Sequence, residues 1–160
     1  MSFSPVLTEA DGFLLALHQA PGLESPLADD IASLKAAGVS AVVTTLTEDE
    51  MAEYGVADLG QQVEAAGLTW YHLPVPDKSL PEEAFEARWP EAQQRLQALL
   101  EAGARVAVHC RGGTGRTGLV AAKIVLACGA DWDKTLDAIR SARPGALTSE
   151  PQLEYLKRDR

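Results

Sequence analysis

The run Arg105-Val106-Ala107-Val108 leads through His109-Cys110-Arg111-Gly112-Gly113-Thr114-Gly115-Arg116-Thr117-Gly118 into an almost unbroken apolar stretch, Leu119 to Cys128. Few folds accept a buried strand, a glycine-rich turn and an apolar helix in immediate succession. The helix has to pack back onto the sheet that holds the strand, which is the α/β solution. Consecutive backbone N–H groups in such a turn converge on one point, and the helix adds the positive end of its dipole, so the junction is an anion site. Here the anion site has a thiol, Cys110, at its base and a guanidinium, Arg116, at its far end.

The rest of the chain agrees with that architecture. Gly12–Leu17 reads as a first strand, closed by the turn Ala20-Pro21-Gly22, and a helix opens near Ser25-Pro26-Leu27 and stops at Gly38. Val39–Thr44 is a buried, parallel-type strand. Thr47-Glu48-Asp49-Glu50 carries a capping-box pattern whose carboxylates read as a solvated helix start, and a further helix runs from about Val56 to Ala66. Leu68–Leu73 predicts a third strand, followed by a loop stiffened by Pro74, Pro76 and Pro81. Phe85, Trp89, Ala92, Leu96, Leu99 and Leu100 recur at helical spacing, with Pro90 expected to kink that helix or to start a second one. Helices starting at Asp131 and at about Glu150 complete the chain. The expectation is one domain over residues 1–160, with a central, mostly parallel sheet of about four to five strands and helices on both faces.

Charge and composition remove several function classes. Lys and Arg total 14 against 23 Asp and Glu, a net charge of −9, whereas binding a nucleic-acid backbone needs clustered cations. Arg111 and Arg116 form a positive spot on a negative body. No stretch reaches the about 18 apolar residues of a membrane span, and the N-terminus lacks a basic segment followed by an apolar one. If Leu119–Cys128 is helical, Cys110 and Cys128 are anchored well beyond the ~7 Å within which a disulfide closes. Two free thiols fit a reducing, cytoplasmic setting.

Converging N–H groups, a helix N-terminus and a nearby guanidinium favour a thiolate over a thiol, and the same groups hold a tetrahedral oxyanion. Arg116 suits such an anion because its planar fork binds two oxygens at once, and the hydroxyl of Thr117 is placed to donate to the sulfur. Cys-x5-Arg-Thr, preceded by His and followed by an apolar helix, resembles the phosphate-binding loop of the cysteine-dependent protein tyrosine phosphatase superfamily. From about Trp70 to Tyr155 the chain is most similar to the dual-specificity group, in particular the cyclin-dependent-kinase-associated phosphatase type.

That resemblance implies a set of roles. Cys110 would attack phosphorus and form a cysteinyl-phosphate, while Arg116 and the amides of Arg111, Gly112, Gly113, Thr114, Gly115 and Arg116 would hold the equatorial oxygens. Asp77, in Pro76-Asp77-x-x-x-Pro81, matches the general acid. Thr117 would stabilise the leaving thiolate and His109 would orient the loop. Arg143 would close on the loop, and Gln152 would position the hydrolytic water. The implied substrate is phosphoprotein, bearing phosphotyrosine, phosphoserine or phosphothreonine. No cofactor or metal is required, neither nucleic acid nor membrane is a partner, and phosphate-like oxyanions are the expected ligands or inhibitors.

The chain departs from the large tyrosine-specific enzymes in having Val75 before Pro76-Asp77 and in lacking a phosphotyrosine-recognition loop, which implies a shallower pocket. Lysines found within the loop of lipid-directed members are absent. Three alternatives stay open on the sequence: a soluble phosphoester as substrate, a redox or sulfur-transfer role for Cys110, and a phosphate-binding module without turnover. His18 and His72 read as packing or surface residues, Trp70 and Cys128 as core, and Trp89 as core or pocket wall.

Overall fold

The computed structural model describes residues 3–158. In chain order its elements are β1 (Val6–Ala10), β2 (Phe13–His18), α1 (Leu27–Ala36), β3 (Val39–Thr44), α2 (Glu48–Glu53), α3 (Leu59–Ala65), β4 (Thr69–His72), α4 (Glu83–Glu101), β5 (Arg105–His109), α5 (Gly115–Ala127), α6 (Trp132–Ala142) and α7 (Glu150–Arg158). The sheet order is β1-β2-β5-β3-β4, with β1 antiparallel to β2 and every other pair parallel. This is the mixed, mainly parallel five-stranded sheet flanked by helices that the sequence predicts.

β5 owes its uniform burial to its central place. Val106 and Val108 face one layer, built from α4, α5 and α6, together with Leu15, Leu17, Phe85, Leu96 and Leu119. Ala107 faces the other, with Ala16, Val42 and residues of α1 and α3 such as Ile31, Leu34 and Leu59. The period of two along each strand sends alternate side chains to opposite faces, so a strand covered on both sides is apolar throughout. His109 ends β5 level with His18 of β2 and Thr44 of β3. The loop after His109 therefore leaves from the carboxyl edge of the sheet, between its two neighbours.

Three expectations need correction. Val6–Ala10 is a strand, paired residue for residue with β2. Its signal was present in the sequence: Asp11-Gly12 is a two-residue hairpin turn, and both residues take positive φ, 49° and 91°. Pro90 neither splits α4 nor starts a new helix, since α4 runs unbroken from Glu83 to Glu101. Pro90 lies on the exposed side, where the carbonyl its missing N–H leaves free faces solvent. Finally, α5 begins at Gly115 rather than near Leu119, which brings Arg116 and Thr117 into its first turn. Gly118 permits this start, because a Cβ there would lie 2.8 Å from the Ala146 Cβ.

Candidate active site

The thiol of Cys110 is 4% exposed and sits in the bend between β5 and α5. The Gly113 N–H donates to its Sγ at 3.2 Å and the Thr117 hydroxyl at 3.1 Å. Both donors stabilise negative charge on sulfur. The bend requires glycine at 113, where φ is +86° and a Cβ would lie 2.6 Å from the His18 carbonyl carbon. The backbone at the end of β2 is thus the floor under the loop, and the Ala20 N–H adds a bond to the Arg111 carbonyl.

His109 holds the strand side of the bend. Its Nδ1 lies 3.0 Å from the Cys110 carbonyl and its Nε2 2.8 Å from the Thr44 hydroxyl. A carbonyl only accepts, so Nδ1 carries the proton and Nε2 accepts from Thr44. The Trp70 indole in turn donates to Thr44 Oγ1 at 2.8 Å, completing a chain Trp70–Thr44–His109–Cys110. Burial holds the His109 pKa down at about 4, so near neutral pH the ring is neutral and acts as a brace. His18 is also buried and stacks on His109, with centroids 5.1 Å apart. Trp70 and His18, read from sequence as packing residues, thus pack against the support of this loop.

Arg116 is 5% exposed, and its anchor was missed in the sequence. Nη1 donates to Glu50 Oε1 at 2.7 Å and to the Val75 carbonyl at 3.0 Å, and Nη2 donates to Glu50 Oε2 at 3.0 Å. Glu50 is therefore no solvated carboxylate of a helix start. It closes the capping box with Thr47 and also grips Arg116, and its side chain is only 16% exposed. Burial opposes ionisation of Glu50, but the Arg116 and Thr47 hydrogen bonds outweigh it and hold the carboxyl below the usual range. Arg116 moves the opposite way: burial lowers its pKa, and the bonds to Glu50 more than reverse this. With Nη1 fully engaged, Nε and the remaining Nη2 proton are the donors left for an oxyanion.

The rim is more open. Asp77 Oδ1 lies 3.5 Å from Arg116 Nη2, and the Asp77 side chain is 63% exposed. Gln152, on α7, donates to the Gly115 carbonyl at 3.3 Å. Asp77, Leu80, Arg116 and Gln152 line one cleft of about 310 Å³. Arg143 approaches from the other side and donates to the Gly112 carbonyl at 2.7 Å, with Thr114 Oγ1 3.5 Å away. Arg111 turns outward, over the Tyr54 ring at 5.4 Å.

The fold thus gathers Cys110, Arg116, Thr117, Asp77, His109, Arg143 and Gln152 around one bend. Trp89 stands apart from the cleft, stacked on Phe85. Cys128 is half-buried at the far end of α5, and burial pushes its thiol up to about 11. Among the described residues, no group of three or more His, Cys, Asp or Glu is arranged to hold a metal.

Comparison with known proteins assigns this arrangement to a class. Residues 18–130 match the family model "Polymorphic toxin system, DSP-PTPase phosphatase". The chain is 30% identical over 130 residues to cyclin-dependent kinase inhibitor 3 of Rattus norvegicus, covering 79% of this chain and 60% of that protein. It is also 30% identical over 130 residues to protein tyrosine phosphatase type IVA 2 of Mus musculus, covering 76% of each. It therefore spans about 60% of the length of the first of these curated relatives. Kinase associated phosphatase superposes with a TM-score of 0.79 at 24% identity, covering 96% of this chain and 93% of the other. Tk-PTP in its active form gives 0.71 at 26%, covering 96% and 95%. PTPMT1, crystallised with PI(5)P, gives 0.71 at 22%, covering 96% and 94%. The chain belongs to the dual-specificity protein tyrosine phosphatase family.

Proposed function

We propose that residues 1–160 form a single catalytic domain that hydrolyses phosphate monoesters on phosphoprotein through a cysteinyl-phosphate. One observation carries the reading: a buried thiol receives hydrogen bonds from Gly113 and Thr117 beside a guanidinium already fixed in orientation. In the first step the Cys110 sulfur attacks phosphorus as the ester P–O bond breaks. Asp77 protonates the departing oxygen, and Arg116 with the loop amides holds the three equatorial oxygens, where charge collects. In the second step water attacks the phosphorus, Asp77 takes the proton from it, and the P–S bond breaks. The Thr117 hydroxyl stabilises the thiolate that leaves, and Gln152 stands on the cleft wall to orient the water. His109 keeps the Cys110 carbonyl turned away from the anion.

The open rim, where the Asp77 side chain is 63% exposed, supports phosphotyrosine as well as phosphoserine and phosphothreonine, because it leaves room for side chains of different length. Cys110 and Cys128 are free, which supports a reducing compartment such as the cytoplasm. No helix among the described residues is long and apolar enough to cross a membrane. The test is turnover of an aryl phosphate and of phosphopeptides in the presence of a chelator. Wild type should turn over, and Cys110→Ser should lose on the order of 10⁴-fold or more. Chelator-resistant turnover that survives in Cys110→Ser overturns the mechanism. A soluble inositol phosphate and a phosphoinositide belong in the same panel, and higher kcat/KM on either would displace phosphoprotein as the substrate.

A further inference from the structure

Lys123 lies in the middle of the apolar helix α5, 3% exposed. A buried ammonium is unfavourable unless its surroundings compensate for lost water. Its Nζ stands over three aromatic rings: Tyr155 at 4.6 Å, Trp89 at 4.8 Å and Phe85 at 5.8 Å from their centroids. Phe85 and Trp89 are one turn apart on α4 and stacked 5.6 Å from each other. Tyr155 belongs to α7, and its hydroxyl donates to Glu86 of α4 at 2.7 Å. One cation therefore draws together α4, α5 and α7, and cation–π attraction of this kind strengthens where water is excluded.

These three helices also carry the reactive rim. α4 begins six residues after Asp77, and Leu80 between them packs on the same core as Phe85. Gln152 precedes Tyr155 by three residues on α7, so both lie on one side of that helix. Gln152 meets the Gly115 carbonyl at the start of α5, about 12 Å along the helix from Lys123. The cage thus ties the foot of the acid loop and the helix bearing Gln152 to the helix that begins at Arg116's turn.

We propose that Lys123 is a positioning residue: through its three-ring cage it sets where Asp77 and Gln152 stand relative to Cys110. This rests on the phosphatase reading above. Its consequence is specific to proton delivery. A displaced Asp77 matters little when the leaving oxygen is a good one and greatly when it must be protonated, whereas a general loss of folded protein lowers all substrates alike.

The experiment measures kcat/KM across aryl phosphates of graded leaving-group pKa, ending with an alkyl phosphate, for wild type, Lys123→Met and Lys123→Arg. Lys123→Met keeps the length of the side chain and removes the cation. It should lose about tenfold on the poorest leaving groups and less than about threefold on the best, a fraction of a general acid's full effect. Lys123→Arg, which restores a cation to the cage, should recover most of the loss. Tyr155→Leu, which alters one wall from the outer helix, should show the same pattern more weakly, and it decides the matter if Lys123→Met does not fold. Variant profiles parallel to wild type overturn the proposal while leaving the phosphatase reading intact. Absence of Cys110-dependent turnover in wild type overturns that reading itself.

Discussion

The floor and the rim of this site are built in opposite ways. On the floor, Cys110, His109, Arg116 and Thr117 are at most 5% exposed, and each is held by named hydrogen bonds. On the rim, the Asp77 side chain is 63% exposed and meets Arg116 at 3.5 Å. Under the proposed mechanism, the difference follows from two tasks. Stabilising charge on an oxyanion requires donors that do not reorganise as charge develops, which favours burial and several anchors per group. Delivering a proton to leaving groups of different size, and later taking one from water, requires an acid that solvent and substrate both reach.

Experiments on the two halves should therefore give different signatures. After loss of the nucleophile itself, the largest effect is expected from Asp77→Asn: a loss of about 10³-fold in kcat for poor leaving groups, shrinking as the leaving group improves. A uniform loss across the leaving-group series would place Asp77 with the floor and break the distinction. Glu50→Gln comes next. It removes the charge that grips Arg116 and should lower kcat/KM by roughly 10²-fold, the scale of a misplaced binding group. That loss should be the same for every leaving group. A change in leaving-group dependence would show that Glu50 also governs the acid.

The floor should also respond to acid through its stability. His109 has a folded pKa of about 4 against an ordinary 6.5, because burial disfavours its charged form. The unfolded chain therefore takes up the proton first. Stability is complete above pH 6.5 and falls as pH drops from 6.5 toward 4, by up to about 3 kcal/mol. Burial pushes His18 the same way, and repulsion from His109 adds to it. Urea unfolding at pH 7 and pH 4.5 measures the loss, and His109→Asn should show a smaller one; equal losses would remove His109 as the cause. The smallest effect belongs to Gln152→Ala. It should slow breakdown of the cysteinyl-phosphate a few-fold, on the order of one hydrogen bond, leaving its formation unchanged in a burst experiment.

The floor and the rim were also unequally legible in the sequence. Cys110, Arg116 and Thr117 stood out because they lie within eight residues, and a strand–glycine–helix junction builds its anion site from its own backbone. Asp77 was named only from its loop's resemblance to the family pattern, and the tertiary structure supplied its distance from Arg116. Glu50 was misread because its capping box with Thr47 explained it completely at short range. Its second role depends on a partner 66 residues away. β1 has a local signal in Asp11-Gly12, a two-residue hairpin turn between the alternating segment Val6–Ala10 and the apolar segment Phe13–Leu17. The Lys123 cage had no local signal, since a lone lysine in an apolar helix does not announce which rings will surround it.

By itself, then, the sequence determined the thiol-bearing anion site at the β5–α5 junction and the layered α/β frame, because both follow from periodicity and backbone geometry over short spans. Only the tertiary structure decided which carboxylate holds Arg116, how open Asp77 stands and what surrounds Lys123. Those choices arise where α2, α4 and α7 meet the junction from distant parts of the chain. A contact between residues far apart in sequence leaves no periodic trace in either of them.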